Sequence, residues 1–162
     1  MNAIMKKTVK DITVENIYPV LDKAKYAKMD AQCRRQVFAA MYAMKKVMTD
    51  YNGYREELVK RLRPENAEEI ARLVDEFNAM PQAERENAIK EKKYADALKA
   101  NLEFSNEVQK CLFEKESELD FAPLSDEAFD ALCDSNPDWD FGQLMALREI
   151  LCENADGKEV TE

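Results

Sequence analysis

Apolar and polar residues recur along most of the chain with the period of an α-helix. From Asp30, a good amino-terminal cap, the apolar positions are Cys33, Val37, Met41, Met44, Met48 and Tyr51, then Leu58 and Leu62, mostly three or four residues apart. That spacing predicts a long amphipathic helix over 31–63. The turn-type pair Asn52-Gly53 predicts a kink or tight break near 50–53 without loss of phase. Pro64 then opens a short helix over about 65–79, with Ile70, Leu73, Val74 and Phe77 on one face and acids at 65, 68 and 69 near its start. After Pro81 the pattern runs on through Tyr94, Ala97, Leu98, Phe104, Val108, Cys111, Leu112 and Leu119 with no glycine or proline, which predicts a second long helix over 82–119. At ~1.5 Å per residue it would be on the order of 55 Å long, and it is expected to pair antiparallel with 31–63. Asn101 and Ser105 interrupt its apolar face, which argues against a regular coiled coil.

The flanks are less regular. Residues 11–30 predict a leading segment and a short helix, capped by Thr13 and stapled by Ile12 and Ile17. Near the carboxyl end, Ser125 caps a helix through about Cys133, with Leu124 and Phe129 as a hydrophobic staple. Asp140, with Gln143 three residues on, starts another helix, and Trp139 and Leu144 stand at the staple positions. The expected organisation is a helical bundle over 1–122, an acidic two-helix module over 124–153 and a flexible tail over 154–162.

Composition agrees with that division. Three glycines and five prolines in 162 residues leave few β-turn formers, so the expected class is all-α, with prolines 19, 64, 81, 123 and 137 dividing the helices. The longest apolar run, Val37 to Met44, is too short to span a bilayer, and the amino-terminal lysines lead into no apolar signal region. Four widely separated cysteines without a C-x-x-C pair fit reduced thiols, so a soluble cytoplasmic protein is expected, without membrane association.

The net charge of −9 is spread unevenly: residues 1–63 carry +7, residues 64–119 carry −6 and residues 120–162 carry −10. Such a gradient can be neutralised by the acidic end folding on the basic start, by a head-to-tail contact between chains, or by a charged partner.

Candidate chemistry is sparse. "DSNPDWDFG" (134–142) has acids or amides at alternate positions, as a calcium loop requires, but Trp139 stands where the glycine belongs and Met145 where the glutamate belongs. A capped turn fits better. Cys33 lies beside Arg34 and Arg35 near a helix start, a setting that activates thiols. It also shares the Val37–Met41 face, and without histidine the chain has no base for it. The same lack removes the Glu-x-x-His di-iron pattern from the glutamates of 84–118, which alternate with lysines as on a solvated face. No cofactor or metal is expected. The basic clusters at Lys6-Lys7-Lys10, Arg34-Arg35, Lys45-Lys46 and Lys60-Arg61-Arg63 are interleaved with acids, so direct nucleic-acid binding is not expected.

What remains is surface. Met41, Met44 and Met48 form a pliable stripe suited to a protein partner or to self-association, and Asp126, Glu127, Asp130, Asp134, Asp138 and Asp140 form a second candidate contact. The expected function is therefore that of a non-enzymatic helical assembly or adaptor protein. An acidic inhibitor occupying the basic nucleic-acid-binding surface of a partner is one alternative, and a thiol enzyme using Cys33 is another. In general character (small, acidic, helical and free of motifs) the chain resembles accessory proteins of bacteriophages and prophages, such as morphogenesis factors and inhibitors of host defences.

Overall fold

The computed structural model describes residues 3–152 and is mostly helical, with seven helices and one two-stranded sheet in the described part. The order is β1 (Met5–Lys10), α1 (Asp11–Asp22), α2 (Ala31–Leu62), α3 (Ala67–Ala79), α4 (Gln82–Ala88), α5 (Lys92–Glu114), β2 (Glu116–Phe121), α6 (Asp126–Ser135) and α7 (Phe141–Leu151). The tail expected over 154–162 lies outside the described residues.

The mostly helical class expected from the sequence holds, and one small sheet, which was not expected, is added to it. β1 and β2 pair antiparallel from Met5 opposite Phe121 to Lys10 opposite Glu116. In β2 the side chains of Leu119 and Phe121 are buried while Glu116, Glu118 and Asp120 are exposed, the period of a strand with one face on a core. Lys6 stands opposite Asp120 and Lys10 opposite Glu116, and opposite charges at such positions add roughly 0.2–1 kcal/mol per pair. Neither strand would hold alone, because each needs a partner more than a hundred residues away.

The second long helix is likewise shorter than its pattern. It is broken at residues 89–91, separating α4 from α5, and it ends at Glu114 so that Glu116 can enter β2. The first long helix is longer than its turn dipeptide suggested: α2 runs through Asn52-Gly53 without a break. A Cβ at Gly53 would meet nothing within 4 Å, so the glycine is not required by any close approach. Asp30 caps α2 as expected, its Oδ1 accepting from the Cys33 N–H at 2.8 Å. Thr13 does not cap α1. That helix starts at Asp11 directly from the end of β1, and the Asp11 N–H donates to the Lys115 carbonyl at 3.0 Å. Pro19 falls inside α1, whereas Pro64, Pro81, Pro123 and Pro137 all lie outside the helices.

The chain folds as two compact units, one from Met1–Tyr51 with Lys115–Glu162 and the other from Asn52–Glu114. This division differs from a cut near residue 122. In unit 1 a single core joins Val14, Ile17 and Leu21 of α1, Val37, Ala40 and Met44 of α2, Leu119 of β2, Leu132 of α6, and Leu147 and Leu151 of α7. Polar ties reinforce it. Ser125 N–H donates to Gln36 Oε1 at 2.9 Å, Lys28 N–H to Ser135 Oγ at 3.0 Å, and the Asn136 amide exchanges bonds with both the N–H and the carbonyl of Lys25. Lys7 reaches from β1 to the Cys152 carbonyl at 2.6 Å and to the Glu149 carbonyl, placing an ammonium on the negative end of the α7 dipole.

In unit 2 the helix that packs on α5 is α3, through Ile70, Leu73, Tyr94 and Ala97. Leu58 of α2 and Val108 and Leu112 of α5 are also buried in this unit.

Candidate interaction surface

The acids named from the sequence lie together on the outside of unit 1. Asp126, Glu127, Asp130 and Asp134 are exposed on α6, and at about 100° per residue they fall within an arc of roughly 100°. The opposite side of α6 buries Ala128, Phe129, Leu132 and Ser135, which fixes the acids toward solvent. The helix begins where expected, with Ser125 Oγ accepting from the Ala128 N–H at 3.1 Å.

The stretch 134–142 is a capped turn. Asp140 Oδ1 accepts from the Gln143 N–H at 2.8 Å and Gln143 Oε1 accepts from the Asp140 N–H at 3.0 Å, a complete capping box. Trp139 packs against the core of unit 1, while Asp138 stays exposed. Beyond the turn, α7 presents Phe141 and Met145 one turn apart, 76% and 54% exposed. The surface is therefore acidic with an apolar step at one end.

Charge compensation separates the two halves of the acidic region. Two of the three acids of β2, Glu116 and Asp120, stand opposite Lys10 and Lys6 in the ladder, and Lys7 is engaged at the end of α7, so the basic amino terminus is spent there. On α6 and the turn, among the described residues, only Asp126 has a cation within ion-pair distance, Arg148 at 3.9 Å. Arg148 also lies 5.7 Å from the Phe129 ring centre.

The methionine stripe is placed differently. Met44 is fully buried, and Met41 and Met48 are half-buried against the same core, so little of that stripe reaches solvent. The exposed apolar side chains of this part of α2 are Phe38 and Tyr42, 49% and 68% exposed, with Arg35, Lys45 and Lys46 around them. At about 100° per residue these five span roughly 100°, opposite the arc that buries Cys33, Val37, Ala40, Met44 and Val47. Lys46 Nζ lies 5.2 Å from the Tyr42 ring centre, and Phe38 meets Tyr26 edge to face at 5.6 Å. The apolar phase of the helix gives no sign of this basic aromatic face. Its signal was in the polar phase, where Arg35, Phe38, Tyr42 and Lys45 repeat at spacings of three and four.

Cys33 is buried. Burial, and then its contact with Asp30, push its thiol above the ordinary value, the reverse of an activated nucleophile. Burial also raises Cys133, and it pushes Cys152 up to about 11. Among the described residues no group of three or more His, Cys, Asp or Glu side chains is placed to hold a metal ion. None of the described helices is long and apolar enough to cross a membrane.

Concavities open on unit 2. A cavity of about 280 Å³ is lined by Val59, Ile70, Ala100, Asn101 and Phe104 among others. An open groove of about 730 Å³ includes Lys60, Arg63, Glu65, Glu68 and Arg72, and there Arg72 is already clamped between Glu69 and Glu76. Charges of both signs offset one another in that groove, and it offers no net attraction for an ion.

Comparison with family models, with curated proteins and with solved structures finds no match for this chain.

Proposed function

We propose that the chain is a non-catalytic binding protein, of the adaptor or assembly type, that docks through the α6–turn–α7 surface on a basic protein surface carrying an apolar seat. The observation that carries this reading is the exposed set Glu127, Asp130, Asp134 and Asp138, without an ion-pair partner among the described residues, beside exposed Phe141 and Met145. Between Lys115 and Arg148 the chain has no cation at all, and β1 brings its lysines only to β2, so the local field is negative over α6 and the turn. Such a field speeds encounter and sets orientation, while a desolvated aromatic supplies affinity. The inhibitor of a nucleic-acid-binding protein is a special case of the same contact. The burial and raised thiol of Cys33 weigh against a thiol enzyme.

The test uses two helical peptides of equal positive charge, one amphipathic with leucines on one face and one without apolar residues. Trp139, the sole tryptophan, reports binding by its fluorescence. The amphipathic peptide should bind about ten-fold more tightly, a difference of ~1.4 kcal/mol. Phe141→Ser/Met145→Ser should abolish that preference, and Asp130→Asn/Asp134→Asn/Asp138→Asn should weaken both peptides. Equal binding of the two peptides, or indifference to the acid substitutions, would refute the proposal.

A further inference from the structure

Unit 1 carries two exposed faces of opposite charge, each with aromatic or apolar side chains at its centre. On α2, the stretch between Asp30 and Asp50 holds Arg34, Arg35, Lys45 and Lys46 and no acid, and Phe38 and Tyr42 stand exposed among them. On α6 and the turn, the acids lie beside Phe141 and Met145. A lone basic face would suit nucleic acid and a lone acidic face a foreign basic protein. Their presence on one compact unit of one chain satisfies both with a single ligand.

We infer that this ligand is a second copy of the chain, the basic aromatic face of α2 in one copy receiving the α6–turn–α7 face of the next. This names the partner of the surface proposed above and rests on that reading. The contact joins two different patches, so it is heterologous, and each bound pair still presents one free face of each sign. Such a contact grows by addition unless the rotation between copies closes a ring. The inward-facing methionines take no part. The face is carried by side chains the same helix turns outward, and the two rows are separable by substitution. The interaction is one of charge at the rim and rings at the centre, so it should depend strongly on salt: about 0.1 M NaCl leaves a Debye length of ~10 Å and about 1 M shortens it to ~3 Å.

Sedimentation velocity on the full chain, from about 10 to about 500 μM to cover a weak contact, tests the inference with two charge reversals. Lys45→Glu/Lys46→Glu removes the basic face and Asp134→Lys/Asp138→Lys the acidic one. All four side chains are exposed, and circular dichroism confirms that both variants fold. The wild type should gain mass with concentration in low salt and revert to monomer in high salt. Each variant alone should remain monomeric. Their equimolar mixture should form 1:1 dimers and nothing larger, because each retains one competent face.

A wild type that stays monomeric throughout overturns the inference, as do variants that associate like the wild type or a mixture that does not associate. If a monomeric wild type still prefers the amphipathic cationic peptide, the second-copy inference alone fails. If Asp134→Lys/Asp138→Lys alters neither association nor peptide binding, the acidic-face reading fails with it. Binding of a labelled strand of about 20 nucleotides by a monomeric wild type, lost in Lys45→Glu/Lys46→Glu, would assign the basic face to nucleic acid and overturn the inference as well.

Discussion

Asp11 and Lys115 meet where β1 passes into α1 and α5 passes into β2. The Lys115 ammonium lies 3.1 Å from Asp11 Oδ2, close enough for the charges to pair, yet neither carboxylate oxygen accepts an aligned hydrogen bond. The two partners are unequally buried: Asp11 is fully enclosed, whereas the Lys115 side chain keeps 19% of its surface exposed. Lys115 also has Ser117 Oγ at 3.3 Å and Asp50 at 3.9 Å, and among the described residues Asp11 has no second cation within ion-pair distance. Removing the lysine therefore leaves a buried charge with nothing to answer it. Removing the acid leaves an ammonium with water and a second carboxylate in reach. Breaking a buried pair from the uncompensated side costs about 3–5 kcal/mol, so Lys115→Met should lose about that much. Asp11→Asn should lose only about 1–2 kcal/mol, the scale of one unsatisfied polar group. A difference of ~2 kcal/mol corresponds to a gap in Tm of roughly 4–8 °C for a chain of this size. Urea unfolding followed by Trp139 fluorescence reads unit 1 alone, since unit 2 contains no tryptophan. The double variant Asp11→Leu/Lys115→Met should recover most of the loss, because an apolar pair of similar volume replaces a costly ionic one. Equal losses for the two single variants, or a double variant whose loss is their sum, would refute the account.

Other expectations follow from the same structure. Gly53→Ala should stabilise the chain by about 0.5–1 kcal/mol in thermal unfolding, since alanine is the better helix former and its Cβ enters open space; a loss would mean that the glycine is required. Asp140→Ala removes the capping box of α7 and should cost about 1 kcal/mol, seen as a lower urea midpoint. Leu119→Ala opens the core behind β2 and should cost about 2–5 kcal/mol. Cys152 has a folded pKa raised from 9.0 to about 11, so the folded chain holds a proton that the unfolded chain releases in that window. Its contribution to stability is complete below about pH 9 and lost as pH rises toward about 11. Cys152→Ala should flatten that part of the stability curve; an unchanged slope would assign it to other groups.

Local signals in the sequence were legible wherever one stretch decides its own conformation. Asp30, Ser125 and Asp140 cap helices as their spacing implied, because a cap needs only the three residues that follow it. The strands were not legible. The first four residues of "ESELDF" read as the last turn of a helix until "MKKTVK" lies beside them, and that pairing spans most of the chain. Leu119 fits either period, so only the distant partner decides. Asn52-Gly53 erred the other way, since its turn propensity yields to the helical phase on both sides. At the surface, exposure separated what composition could not. All six acids proposed for contact lie outside, whereas Met44 lies wholly inside and Phe38 and Tyr42 take the place in solvent that the methionines were expected to hold.

The sheet that joins the first strand to one near residue 120 sets an order of events during synthesis. Unit 2 is contiguous, so all of its chain has emerged before β2 does. Unit 1 is not, and β1 must wait for Phe121 to appear opposite Met5. At roughly 5–20 residues per second that delay is on the order of 6–20 s, during which Val14, Leu21, Val37 and Met44 have no carboxyl-terminal cover. A ribosome whose tunnel still hides β2 but has released α5 would hold a chain whose middle is complete and whose beginning still exposes its core, the window in which a nascent chain depends most on chaperones.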